Sequence, residues 1–239
     1  MTQFLLMDIG NSTVELAVYD QGLDVLVQTH KQPTHLLRDA PHFLNQYVHV
    51  DGVIVSSVVP HMDGFVRSVF PQAVFVDAFN VPLLTIDVDS LEVGADRLVN
   101  ALGAYDGRKK SCLIIDSGTA TTFCWVTQEG VYKGGAIFPG MGIASKALND
   151  YTAKIPLIYV QPDPPFVGRT TQGAVHSGLF YGFVDMINGM IVRYRRLDPA
   201  IAVVGTGQGL DILAPYVDID AYDTQLIFKG LMAVCRRLF

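Results

Sequence analysis

Two short segments of this 239-residue chain place a carboxylate, a glycine and hydroxyl-bearing residues at the end of an apolar run. The first is Asp8-Ile9-Gly10-Asn11-Ser12-Thr13, which follows Phe4-Leu5-Leu6-Met7. The second is Asp116-Ser117-Gly118-Thr119-Ala120-Thr121-Thr122, which follows Cys112-Leu113-Ile114-Ile115. Such a segment suits Mg²⁺ and phosphate. The glycine lets backbone N–H groups approach an anion, the carboxylate can hold a metal-bound water, and the amide and hydroxyls supply further hydrogen bonds. An Asx-type β-turn uses the same residue types, so one copy leaves both readings open. Two copies in matching places favour phosphate work, because facing hairpins form a two-sided clamp. The second copy is richer in hydroxyls, which suits outer phosphates and a coordinated cation.

A third constellation is Glu92-Val93-Gly94-Ala95-Asp96-Arg97. Its glycine turn delivers an acid and a base to the start of a helix. Asp96 could accept a proton from a hydroxyl while Arg97 neutralises an anion; an N-capping acid beside a solvated arginine is the alternative. Gly205-Thr206-Gly207-Gln208-Gly209 follows a strand and precedes a helix, a turn that lets backbone approach a flat ligand or a phosphate. Gly134-Gly135-Ala136-Ile137-Phe138-Pro139-Gly140 marks another backbone passing close to a neighbour. Other chemistries are excluded by spacing. The six histidines form no H-x-x-x-H pair, and no G-x-S-x-G elbow, G-x-x-x-x-G-K-[ST] loop or G-x-G-x-x-G fingerprint occurs.

The elements that must position these groups repeat. At one fixed offset Leu5 falls on Leu113, Asp8 on Asp116, Gly10 on Gly118, Thr13 on Thr121, Val18 on Val126 and Gly22 on Gly130. Each copy reads as a buried strand, a polar turn, a second strand, a glycine turn and a third strand. In the first half a helix is expected over 33–47, a strand over 53–57, a short helix over 61–70 and a strand over 73–76. In the second half helical patterning covers 143–149 and 172–196, and a strand covers 202–206, equivalent to 53–57. A terminal helix is expected over 222–238, burying Leu226, Leu231 and Val234. Residues 94–107 form the helix joining the halves. The pattern predicts an α/β fold of two mixed five-stranded sheets with flanking helices and an interdomain cleft, divided as 1–106 and 107–239.

Composition narrows the class. Half the residues are hydrophobic and 17% are charged, enough apolar material for a large core and too little charge for disorder. The net charge of −6 and scattered basic residues leave no footprint for nucleic acid. Three cysteines without a C-x-x-C pair fit a reducing compartment. The start, M-T-Q-F-L-L-M-D, lacks a basic n-region, and no apolar run reaches the roughly 18–20 residues that span a bilayer. A soluble, cytoplasmic protein is expected, with no membrane partner.

The ordered motifs resemble the type III pantothenate kinases of the acetate kinase, sugar kinase, Hsp70 and actin superfamily over almost the whole chain. The resemblance rests on Asp8–Ser12, Ser56-Ser57-Val58-Val59-Pro60, Glu92–Arg97, Asp116–Thr122 and Gly134–Gly140. It continues through Thr152-Ala153-Lys154-Ile155-Pro156, Gly168-Arg169-Thr170-Thr171 and Ser177–Gly182. It implies a duplicated actin-like (ribonuclease H-like) fold and ATP-dependent phosphorylation of the primary hydroxyl of pantothenate, the first step of coenzyme A synthesis. It further implies ATP binding by Asp8, Ile9, Gly10, Asn11, Ser12, Thr13 and Thr119, with Asp8 near a hydrated Mg²⁺. Asp96 matches the proton acceptor, Gly94, Ala95, Asp96, Arg97 and Thr171 the pantothenate contacts, and Asp116 the ligand of a monovalent cation, K⁺ or NH₄⁺. A homodimer whose substrate site is completed by the partner chain is likewise implied. The chain departs from the family at Ile86-Asp87-Val88-Asp89-Ser90, where many relatives carry a tyrosine, at Ser117, and at Thr206-Gly207-Gln208 in place of T-G-G. Another kinase or phosphatase on the same scaffold and a non-catalytic regulator are the alternative readings.

Overall fold

The computed structural model describes residues 2–39 and 41–239. Its residues cluster into two units. The first contains 1–109, 130–133 and 225–239, and the second contains 110–129 and 134–224.

In the first unit the meander forms β1 (Gln3–Ile9), β2 (Thr13–Asp20) and β3 (Val25–Pro33), antiparallel in sequence order. β4 (Gly52–Ser57) and β5 (Val74–Phe75) then extend the other edge in parallel, giving the order β3-β2-β1-β4-β5. β1 and β4 are near-continuous apolar runs because both of their faces are covered. The segment expected as one helix over 33–47 instead opens with the end of β3 and continues as α1 (Thr34–Asp39) and α2 (Pro41–Asn45); Ala40 lies outside the described residues. α3 (Pro60–Val69) likewise starts on a proline and buries Met62 and Val66, one turn apart.

α4 (Ala95–Asp106) and α8 (Leu226–Leu238) belong to the same unit and are buried over most of their lengths. The two helices pack against each other, and two glycines let their backbones come close. A Cβ on Gly103 would lie 2.5 Å from the carbonyl oxygen of Leu226, and one on Gly230 would strike that of Val99. α8 was expected from residue 222, but Ala221–Tyr222 is a strand and the helix begins at Leu226. The apolar residues expected on its buried face, Leu226, Leu231 and Val234, are fully buried.

The second copy of the meander forms β7 (Cys112–Ser117), β8 (Ala120–Val126) and β9 (Val131–Pro139). β10 (Ala202–Thr206) lies parallel beside β7, and β11 (Ala221–Tyr222) parallel beside β10. The registers carry the repeat further. Asp8 is level with Ser56 of β4, and Asp116 with Thr206 of β10. Against the expected five strands this sheet has six, in the order β11-β10-β7-β8-β9-β6. The addition is β6 (Thr85–Ile86), parallel to Val131 and Tyr132 at the start of β9. Two residues carry no alternation from which such an edge strand can be read.

α5 (Met141–Asp150) and α6 (Thr171–Leu197) flank the sheet, with α7 (Leu210–Leu213) after β10. α6 buries Phe180, Phe183, Ile187 and Ile191 at helical spacing against Leu113, Phe123 and Val203. It starts cleanly because the Thr170 hydroxyl accepts the Gly173 amide at 3.0 Å.

Candidate active site

Asp8 is the penultimate residue of β1. Its neighbours Met7 and Ile9 are fully buried, whereas strand alternation brings Asp8 out to partial exposure. The carboxylate does not stand alone. Ser56, fully buried on β4, donates its hydroxyl to Asp8 Oδ1 at 2.8 Å. The hairpin beyond is closed by the Gly10 amide donating to the Thr13 carbonyl at 2.9 Å, with Asn11 and Ser12 exposed at its tip. Thr34 fastens the loop from α1: its amide donates to the Ser12 carbonyl at 3.0 Å and its hydroxyl to the Gly10 carbonyl at 2.6 Å.

Asp96 lies in the first turn of α4, and a short chain of contacts ties it to the β1 hairpin. The Ile9 carbonyl accepts the Val58 amide at 3.1 Å. Val58 Cγ1 and Asp96 Oδ1 would lie 3.4 and 2.6 Å from a Cβ placed on Gly94. Only glycine therefore leaves room for the carboxylate at this position. Asp96 Oδ1 accepts the Arg97 amide at 2.7 Å, so the capping reading is met in part. Burial nevertheless dominates and holds the Asp96 carboxyl above the usual aspartate range, against the opposing pull of the Arg97 amide and charge. A half-dehydrated carboxylate with a raised pKa is a better proton acceptor than an exposed capping aspartate.

In the second unit Asp116 sits at the equivalent place on β7, level with Thr122 on β8 and Thr206 on β10. The Gly118 amide donates to the Ala120 carbonyl at 2.9 Å, leaving Gly118 and Thr119 exposed. Ser117, in place of a bulky residue, is buried, and its hydroxyl meets that of Thr121 at 3.3 Å. Two backbone segments close on this hairpin. Gly140, preceding α5, donates its amide to the Thr119 carbonyl at 3.0 Å, which brings a helix N-terminus beside the hydroxyl-rich loop. Gly209 donates to the Ser117 carbonyl at 2.6 Å.

Gly207 has φ +87°, a conformation natural to glycine, and a Cβ there would collide with Asp116 Oδ1 and lie 2.7 Å from the Ser117 carbonyl oxygen. Carboxylate and carbonyl oxygens thus converge at Asp116, a donor set suited to a hard cation. Among the described residues no three His, Cys, Asp or Glu side chains gather in a metal-binding group. A divalent ion beside Asp8 would take its remaining oxygens from phosphate and water, which is how Mg²⁺ is commonly held.

Thr171 is exposed at the first position of α6, in the second unit. Asp87, in the segment that departs from the family pattern, is exposed and pairs with Lys133 Nζ at 2.5 Å. Two contributors were given no role from sequence: Ser56 and Thr34. Ser56 stands inside a motif already singled out, but its bond to Asp8 follows only from the β1–β4 register.

The family model described as type III pantothenate kinase matches residues 4–193. The chain is 31% identical to the type III pantothenate kinase of Citrifermentans bemidjiense, covering 98% of both chains. It is 32% identical to that of Listeria monocytogenes, covering 98% of this chain and 96% of the other. Among solved structures it is similar to a Campylobacter jejuni protein named for the Baf family of transcriptional activators, with TM-score 0.64 at 20% identity and 98% coverage of each chain. It is also similar to the activator of 2-hydroxyisocaproyl-CoA dehydratase from Clostridium difficile, with TM-score 0.54 at 9% identity, covering 98% of this chain and 95% of the other. At these identities the structural likenesses concern the fold alone, the duplicated actin-like architecture that the repeat anticipates.

Proposed function

The chain belongs to the type III pantothenate kinase family, and from that premise we propose how its residues divide the work. The family transfers a phosphoryl group from ATP to pantothenate in coenzyme A biosynthesis, and this chain is such a kinase. In the reaction the bond between the γ-phosphorus and the ADP oxygen breaks. A bond forms between that phosphorus and the pantothenate hydroxyl oxygen, and the hydroxyl proton leaves to a base.

The observation that carries the assignment of the base is the glycine-cradled Asp96, partly buried and with a raised pKa. Asp96 accepts the hydroxyl proton. Arg97 supplies positive charge to an anionic group, and Gly94, Ala95 and Thr171 contact pantothenate. Asp8, Ile9, Gly10, Asn11, Ser12 and Thr13 receive phosphate, and Asp8, fixed by the Ser56 hydroxyl, would hold a hydrated Mg²⁺. The metal, when bound with ATP, offsets the charge of the phosphate oxygens. Thr119, beside the N-terminus of α5, contacts ATP. Asp116, with the Ser117 carbonyl that also faces Gly207, would hold K⁺ or NH₄⁺.

A homodimer is supported by the apolar residues that the second unit leaves exposed, among them Ile137, Phe138, Ile143, Tyr151, Tyr159 and Phe166. A cytoplasmic location is supported by three free, buried cysteines.

The deciding experiment is ADP release from Mg–ATP with pantothenate in K⁺ buffer, coupled to an indicator reaction. Pantothenate-dependent turnover is expected. Folded protein that turns over another hydroxylated substrate, or none, would replace this reading with a related kinase or a regulator.

A further inference from the structure

The turn after β10 is held from outside by a residue that no motif marks. β11 pairs Tyr222 with Gly205, and the Asp223 amide donates to the Gly205 carbonyl at 2.9 Å, so the backbone of Tyr222 is fixed beside the turn. The Tyr222 hydroxyl then reaches over it. One hydroxyl proton faces two acceptors, Asp211 Oδ1 on α7 and the Gly207 carbonyl oxygen at 3.3 Å. Gly207 is also the residue pressed against Asp116 Oδ1 and the Ser117 carbonyl. Tyrosine, turn, carboxylate and second hairpin therefore form one continuous contact path within the second unit.

We propose that Tyr222, with Asp211 as its second anchor, is a positioning residue that sets the Gly205–Gly209 turn against Asp116 and so tunes affinity for ATP and for the monovalent cation. The inference rests on the reading of Asp116 and the second hairpin given above. The Tyr222 phenol is a hydrogen-bond donor at neutral pH, as tyrosine ordinarily is. This sequence carries Gln208 where the resemblance leads one to expect a second glycine.

The test uses the full-length protein and three forms: wild type, Tyr222→Phe and Asp211→Ala. Mg–ATP binding is measured calorimetrically in K⁺ buffer without pantothenate, and steady-state constants are measured for ATP, K⁺ and pantothenate. Removing the hydroxyl is expected to weaken ATP binding about fivefold, equivalent to about 1 kcal/mol, the net worth of one hydrogen bond. The K⁺ needed for half-maximal rate rises with it and the melting temperature falls by a few degrees at most, while the pantothenate KM stays put. Asp211→Ala is expected to cost less, about twofold, because the hydroxyl keeps its Gly207 acceptor.

Unchanged ATP affinity in Tyr222→Phe overturns the proposal, as does an equal shift in the pantothenate constant or a larger loss in Asp211→Ala. Wild-type protein that binds no ATP overturns the kinase site and this inference together. Wild type that binds ATP but ignores pantothenate overturns only the substrate, since the binding arm still decides the role of Tyr222.

Discussion

Replacing Asp96 by Asn should move activity and stability in opposite directions. Asn keeps the volume of Asp and an oxygen that can accept the Arg97 amide, so the first turn of α4 and its glycine cradle survive. What disappears is the ability to take a proton. A positioned general base contributes typically about 10²–10⁴-fold, and kcat is expected to fall by that factor, equivalent to about 3–5 kcal/mol of barrier. ATP binding should change little. Because burial raises the Asp96 pKa in the folded protein, the carboxylate binds its proton more tightly folded than unfolded. Ionisation therefore costs stability as pH rises from the unfolded value through the folded one, and that cost persists at neutral pH. Asn avoids it, so the variant should melt at the same temperature or higher at pH 7 while losing turnover. The wild-type rate should climb along an acid limb set by a pKa above that of ordinary aspartate. The assays are coupled ADP release from pH 5 to 8 and thermal melting of both proteins. Near-wild-type turnover in Asp96→Asn would refute the base assignment; lost turnover with a clearly lowered melting temperature would mean that the substitution damages the fold.

Three further expectations follow from named contacts. Ser56→Ala removes the buried donor to Asp8 Oδ1, and a hydrogen bond to a charged group is worth about 1.5–3 kcal/mol, so the KM for Mg–ATP should rise roughly tenfold or more; an unchanged KM across a Mg²⁺ titration removes Ser56 from the site. Turnover should require K⁺ and fail in Na⁺ alone, with Asp116→Asn losing the K⁺ response; equal rates in both salts would sink the cation role of Asp116. Gly230→Ala presses a Cβ on the Val99 carbonyl where α8 meets α4, and should destabilise by about 1–3 kcal/mol, read as a lowered denaturant midpoint; a neutral result would mean that the helices separate easily.

Much of this was legible because the repeat is written in residues that each strand needs for its own reasons. Apolar runs with a terminal aspartate and glycine specify a buried strand and a tight turn, and both copies fold so. The α6 apolar spacing likewise fixes which face is buried, and Asp8, Asp96 and Asp116 stand out because each is a carboxylate two residues from a glycine, a pairing that seldom serves a core. What escaped the sequence depends on partners far away in the chain. β6 and β11 are two residues each, too short for any period to register. Helical expectation ran on to Tyr222 because nothing local marks the edge pairing with β10. Ser56 acquires its meaning from strand register, and Gly103 and Gly230 from the approach of one helix to another.

That last contact reaches into how the protein is made. α8 packs on α4 and against β1 and β4, and Phe239, the residue after it, tilts against Phe4 with ring centroids 4.8 Å apart. The ribosome produces α8 only after the whole of the second unit. During synthesis the second unit can reach its native state while the first still lacks a helix of its core. The first unit is thus left waiting with apolar α4 surface open, the stretch of time in which a chaperone or a neighbouring nascent chain would find it.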